Sequence, residues 1–392
     1  MKIQALLDKE VQDFINRNID QQVTQLALQK KQFNGIALSE VVQQIAAKQK
    51  AEKKLPTWFA TANIIYPSKV SVEQTSSEQT AAYKASLISG KTLLDATGGF
   101  GVDDYYFAQQ FQKVIHCEWN QELSEIVKHN AELLKVDNLE CLSGDSTEII
   151  KKRDQKLDWI YIDPSRRHDA KGKVFMLKDC EPNVPDLLDF YFQYTSNILI
   201  KTAPLLDLKA GLSELKYVKK IHVIALENEV KELLWEIHNH YEGDLSISAV
   251  TIEKGRALKS EFNWNTDYQS TFSKPKKYLF EPNAALLKSG MFNAVSAVFH
   301  IDKLHQHSHL YTTDEDLNLP GRNFIIDQVV PFDKNSAKTY LLNQKLNIST
   351  RNFPLKPEEL RKKYKIKDGG DTYVFFTTDS ENKKIILFCT KK

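Results

Sequence analysis

The chain has 392 residues, enough for two or three domains and a substantial core. Its hydrophobic fraction of 42% and charged fraction of 27% are ordinary for a soluble globular protein. A formal charge of only +2 excludes a basic field over the whole protein, so local patches must carry any nucleic-acid contact.

Leu7, Val11, Phe14, Ile15, Ile19, Val23 and Leu26 recur at helical spacing and predict a helix over 6–26. A second helix is expected over 38–55, with Val41, Val42, Ile45 and Ala46 on one face and Pro56 as its stop. Residues 1–75 therefore read as a helical cap without obvious chemistry. The N-terminus lacks a long apolar run with a cleavage site, and no stretch approaches the roughly 18 apolar residues of a membrane span. Cys117, Cys141, Cys180 and Cys389 are scattered, which suits a reducing compartment and suggests neither a disulfide framework nor a zinc ribbon. A cytoplasmic protein without a membrane or metal partner is expected.

Near residue 90 short apolar strands begin to alternate with helices. Strands are expected at 92–94, 114–117, 139–142, 159–162, 197–200, 221–226 and 245–252, with helices at 102–111 and 121–135 between the first three. This alternation predicts βαβ units and a doubly wound, Rossmann-like α/β sheet over 76–255. Residues 256–320 read as a linker and a small ferredoxin-like segment. From 321 to 392 the order strand, helix, strand, helix, strand, strand predicts a small C-terminal α+β domain.

The strongest motif is Leu93-Leu-Asp-Ala-Thr-Gly-Gly-Phe-Gly-Val-Asp103, a strand running through a glycine-rich turn into a helix. This corner places backbone N–H groups at the carboxyl edge of the sheet, where such sheets bind ligands. A dinucleotide fingerprint starting at Gly99 and Gly101 fails, because Asp104 stands where its third glycine belongs. Carboxylates at Asp95 and Asp103 would repel a pyrophosphate and suit a ligand carrying an ammonium and a sulfonium. S-adenosylmethionine has both. Glu118, at the end of the second strand, can accept both ribose hydroxyl protons, each such bond contributing roughly 1.5–3 kcal/mol. Trp119 follows with an adenine-sized face, and Asp145 after the third strand offers an acceptor for the adenine amine.

Asp95-x-Thr97-x-Gly99-x-Gly101, Glu118 and Asp145 resemble the first three motifs of class I S-adenosylmethionine-dependent methyltransferases, with Thr97 where many members have glycine. The resemblance implies that the loop, including Gly98 and Asp103, holds the methionine moiety. It implies the same for Glu118 and the ribose, and for Asp145 and adenine.

The fourth strand ends in Asp163-Pro-Ser-Arg-Arg167. Amino-methylating members carry Asp/Asn-Pro-Pro-aromatic here. Asp163 and Pro164 match, while Ser165 and Arg166 depart, which leaves the target atom open. Arg166 and Arg167 suit phosphate contact or stacking on a base, or else pair with nearby carboxylates. The loop His168-Asp-Ala-Lys-Gly-Lys173 adds positive charge. Asp163 is expected to receive the acceptor's proton, with Pro164 and Arg166 completing the catalytic set. Cys180 lacks the context of a covalent nucleophile.

Residues 351–367 hold seven basic side chains against Glu358 and Glu359, with Phe353 and Tyr364 interleaved. Arg361, Lys362 and Lys363 are the expected RNA contacts. Tyr278-Leu-Phe-Glu-Pro-Asn283, Gly321-Arg-Asn-Phe324 and Asn352–Leu360 are similar to bacterial methyltransferases, especially of Bacteroidetes, that end in a THUMP-like domain. This resemblance implies methylation of a base in rRNA or tRNA. The alternatives are a protein or small-molecule methyltransferase, and a non-catalytic RNA-binding protein. His305-x-His307-x-His309 would put three imidazoles on one side of an extended segment, packed or solvated rather than ligating a metal.

Overall fold

The N-terminal apolar run predicts one helix. The computed structural model, which describes residues 3–166 and 176–392, breaks it into Ile3–Leu6, Lys9–Arg17 and Val23–Leu26. Asp8 accepts the Glu10 N–H at 2.8 Å and starts a new helix, and Asn18 ends it by donating to the Phe14 carbonyl. Short polar side chains that satisfy helix ends locally win over the continuing periodicity. The second helix forms as expected, over Leu38–Lys54. Pro56 does more than stop it, opening the helix Pro56–Ala60 where its missing N–H is harmless.

Two compact units divide the chain: residues 1–219 with 232–243, and 220–231 with 244–392. The first contains β1 (Gly90–Asp95), β2 (Phe111–Glu118), β3 (Leu139–Ser143), β4 (Trp159–Ile162), β5 (Ser165–Arg166), β6 (Cys180–Glu181) and β7 (Asn197–Thr202). β8 (Val218–Leu226) lies mostly in the second unit, and β9 (Glu229–His238) mostly in the first. Within the first unit the sheet order is β9-β7-β4-β1-β2-β3, parallel except for β9. The chain switches direction across the sheet between β1 and β4, the place where a doubly wound sheet opens a crevice.

β9 escapes the sequence pattern because Glu-Val-Lys-Glu-Leu-Leu-Trp is rich in helix formers. Its neighbours override that preference. The Trp235 indole N–H donates to Thr202 Oγ1 at 3.0 Å, and the ring fills space that a side chain at Gly211 would invade.

The helical cap and the glycine loop share one core. Trp58 and Tyr66 pack with Phe100, Val102 and Ile126, the Trp58 and Phe100 ring centres lying 6.4 Å apart. Phe100 is thus an anchor that fixes the loop around it.

In the second unit β10 (Ser246–Glu253) pairs parallel with β8 and antiparallel with β11 (Arg256–Asn263). β11 reads as linker in the sequence because most of its side chains face solvent. A second sheet holds β12 (Tyr278–Pro282), β13 (Asp302–Lys303), β14 (Tyr311–Thr313), β15 (Gly321–Pro331), β16 (Asn347–Thr350), β17 (Thr372–Thr378) and β18 (Lys384–Lys391). Its order is β13-β14-β12-β15-β18-β17-β16. Helices Lys334–Leu341 and Pro357–Tyr364 bury Ala337, Leu341 and Leu360 against Ile348, Val374, Phe376 and Ile386, the expected α+β unit.

His305, His307 and His309 lie in the turn between β13 and β14, not in an extended segment. His305 bonds Asn352 and Asn382, and His309 stacks on Phe292 at 3.6 Å. Among the described residues no group of three His, Cys, Asp or Glu is arranged to hold a metal, and no helix is long and apolar enough to cross a membrane.

Candidate active site

Asp95 ends β1 and turns the chain. One of its oxygens accepts both the Thr97 backbone N–H at 2.7 Å and the Thr97 hydroxyl at 3.1 Å. Gly98 then passes so close to β2 that an added Cβ would sit 2.2 Å from the His116 ring. Gly99 and Gly101 take φ of 56° and 71°, a conformation that glycine reaches at no steric cost. Glu118 steadies the turn from the end of β2. One oxygen takes the Gly99 N–H at 2.9 Å and the other the Asn120 N–H at 2.7 Å.

Two buried polar clusters lie below this loop. In the first, Asp95, Asp104 and His116 meet, with His116 Nδ1 2.7 Å from Asp104. Burial, and then mutual repulsion among the acids, pushes the Asp95 and Asp104 carboxyls well above the usual range. Burial also pushes the His116 imidazole down. The Asp95 carboxyl builds the turn, one oxygen holding both polar groups of Thr97.

Asp103 belongs to the second cluster. It accepts from Lys84 at 2.9 Å, Ser76 at 3.0 Å and Tyr161 at 2.9 Å, while Lys84 also reaches Glu232 at 3.4 Å. Lys84 is fully buried. Burial alone would raise the Asp103 carboxyl, but Lys84 and then Lys201 hold it below the ordinary range. Ser77 caps the helix Glu78–Ala85 through the Thr80 N–H, and Glu78 takes the Thr57 N–H and hydroxyl and the Tyr106 hydroxyl. Ser76, Ser77 and Glu78 thus all serve structural bonds.

At the end of β4 the Asp163 backbone N–H donates to the Thr97 hydroxyl at 2.7 Å. Its carboxylate pairs with Lys201 of β7. Pro164 is buried. Ser165 and Arg166 form β5, which pairs antiparallel with Cys180 and Glu181 of β6. Cys180 is fully buried. Asp145 caps the helix Ser146–Arg153, its Oδ1 accepting from the Thr147 N–H at 2.7 Å and the Thr147 hydroxyl at 2.6 Å. The hydroxyl bond leads in holding its carboxyl below the usual range. Trp119 is exposed beside Glu118.

Three family models match successive parts of the chain: RNA cap guanine-N2 methyltransferase over 90–198, a ferredoxin-like domain over 278–320, and THUMP domain-like over 321–391. A stretch of 76 residues is 37% identical to a Clostridium tetani protein described as an uncharacterized RNA methyltransferase, and covers 19% of this chain and 17% of that one. The crystal structure of a Porphyromonas gingivalis W83 protein, provisionally described as a methyltransferase, is similar over 97% of both chains, with a TM-score of 0.86 and 31% identity. The chain belongs to the class I S-adenosylmethionine-dependent methyltransferases with a C-terminal THUMP-like domain.

The loop of this methyltransferase fits that cofactor. A Cβ on Gly99 would meet only the Thr97 carbonyl at 3.7 Å, and one on Gly144 only Ile149 at 4.0 Å, so space lies open over β1 and β3. Glu118 and Asp145 stand at the rims of β2 and β3 with acceptor capacity left, since each carboxylate oxygen has two lone pairs.

The substrate-binding expectations for the methyltransferase divide. Arg167 and the residues up to Lys173 lie outside the described residues. Arg361 bonds Asp368, while Lys362 and Lys363 are exposed. Phe353 and Tyr364 are half-buried and pack against the core of the C-terminal unit, Phe353 edge-on to Phe332 at 4.9 Å. Sequence reasoning missed Lys84, Asp104, His116, Lys201 and Glu232. The signal that could have found them was charge in apolar company: Lys84 in Ala-Ala-Tyr-Lys-Ala, and Lys201 after Ile-Leu-Ile.

Proposed function

We propose that this methyltransferase modifies a base in rRNA or tRNA in the cytoplasm. The observation that carries the reading is a THUMP-like domain whose helix Pro357–Tyr364 keeps Lys362 and Lys363 in solvent, ready for phosphates. The relatives described as acting on RNA support it.

When bound, S-adenosylmethionine supplies a methyl group already activated on sulfonium, so the protein's task is alignment. In this reading Glu118 holds the ribose hydroxyls, Asp145 the adenine amine, and Trp119 covers the purine face. Gly98, Gly99 and Gly101 let the backbone approach the methionine portion, while Asp103 and Thr97 keep the loop in shape. The Asp163 carboxylate and the Pro164 carbonyl accept protons of the acceptor amine, and Asp163 takes the proton released on transfer. Arg166, and Arg167 with it, contact phosphate or base.

Mass spectrometry of RNA nucleosides from wild-type and deletion strains tests this. A methylated nucleoside missing from the deletion strain and restored by the wild-type gene but not by Asp163→Ala supports the reading. An unchanged nucleoside profile overturns it.

A further inference from the structure

Ile162 of β4 and Ile200 of β7 are partners in a parallel pair, so the next residues, Asp163 and Lys201, emerge on the same face of the sheet. Their side chains form an ion pair. The pair is graded in exposure. The Lys201 side chain is 13% exposed and that of Asp163 36%, so the cation lies beneath and the carboxylate reaches the crevice.

Lys201 also senses Asp103 at the start of the helix after the glycine loop and Glu232 on β9. Burial opposes its charge, but Asp163, Asp103 and Glu232 together hold the ammonium above its usual range. The other charged and titratable groups around this patch are Lys84, which bonds Asp103 and Glu232, and Tyr161, which bonds Asp103. Lys201 is the ammonium shared between the acceptor loop after β4 and the cofactor loop after β1.

Its strand neighbours Ile198, Leu199 and Ile200 are fully buried. A pair of apolar residues at 163 and 201 would suit folding at least as well as an ion pair does. The geometry points to Lys201 as the positioning residue of methyl transfer, gripping one oxygen of Asp163 and leaving the other toward the acceptor amine. The inference rests on the reading of Asp163 as the acceptor-facing carboxylate.

The test uses full-length protein with RNA extracted from the deletion strain. Lys201→Met should lower kcat about tenfold or more, with little change in calorimetric affinity for S-adenosylhomocysteine. Lys201→Arg should recover much of the rate. In an Asp163→Asn background, Lys201→Met should cost no further activity, because the lysine acts through that carboxylate. A readout without acceptor is the 13C carboxyl chemical shift of Asp163 at fixed neutral pH, which should change in Lys201→Met and return toward wild type in Lys201→Arg. An unchanged carboxyl shift overturns the proposal, and so does an equal loss of kcat in the Asp163→Asn background. A wild-type enzyme inert on this RNA overturns the RNA reading alone, and the carboxyl shift still decides the role of Lys201.

Discussion

The Thr97 hydroxyl accepts the Asp163 N–H and donates to Asp95, so one side chain joins the ends of β1 and β4. A glycine at this position could make neither bond. The hydroxyl also couples the cofactor turn to the acceptor loop. Thr97→Val keeps the shape but strands the Asp163 N–H and should cost about 1–3 kcal/mol. Thr97→Ser should cost far less. Urea unfolding of the two variants decides, and equal stability of valine and wild type would refute the bridging role.

Gly98 and Gly99 are adjacent, yet substitutions there should fail differently. Alanine at 98 strikes the His116 ring and forces β2 or the turn to move, costing about 1–3 kcal/mol or more. Alanine at 99 meets no close neighbour and bears only the left-handed backbone cost of about 1–2 kcal/mol. Gly98→Ala should therefore melt lower than Gly99→Ala. Gly99→Ala should remain folded and lose S-adenosylhomocysteine affinity, because its new methyl projects into the open space over the turn.

Glu118→Gln keeps one acceptor oxygen for the Gly99 or the Asn120 N–H, loses the other and removes the charge. Loss of one ionic hydrogen bond to ribose, about 1.5–3 kcal/mol, should weaken S-adenosylhomocysteine binding roughly tenfold to a hundredfold. Stability in urea should fall by about 0.5–1.5 kcal/mol, the net cost of the one backbone bond lost. Titration calorimetry showing unchanged affinity would remove the ribose role.

Lys84→Met leaves Asp103 and Glu232 buried without their shared cation, a loss of about 3–5 kcal/mol at neutral pH. The pH dependence has a definite sign. Asp103 is depressed in the folded state, so its contribution is present above the unfolded value and fades as pH falls through the folded one. Glu232 is raised by burial, so protonation relieves it on the same acidic side. The gap between wild type and Lys84→Met should shrink from pH 8 toward pH 4 in urea titrations. A constant gap would contradict the ionic account.

Replacing Lys362 and Lys363 together with alanine should weaken binding of RNA from the deletion strain. It should also flatten the salt dependence by about 0.7 log units for each phosphate no longer neutralised. Arg361→Ala should act more on stability than on binding, since its guanidinium is already bonded to Asp368. Fluorescence anisotropy at several salt concentrations separates the two effects.

The strand ends were legible because their chemistry is local. Asp95, the glycines, Glu118, Asp145 and Asp163 each follow an apolar run, and the alternation that predicts the sheet also predicts its rim. Lys84, Lys201 and Glu232 were not, because their meaning arises from burial and they are drawn together from positions as far apart as 84 and 232. Phe100 stands between two glycines with nothing in the sequence to mark it, yet its burial with Trp58 and Tyr66 joins the loop to the helical cap. Phe353 and Tyr364 lie in a basic stretch of the sequence, and the fold alone reveals that both also pack against the core beneath it.

Of the five tryptophans, Trp58, Trp159 and Trp235 are sealed inside, whereas Trp119 is 76% exposed. The molecule thus carries an optical reporter next to Glu118, the carboxylate proposed to hold the ribose. Acrylamide should quench this indole far more readily than the sealed ones, and shielding it by a bound nucleoside would register as slower quenching without any added dye.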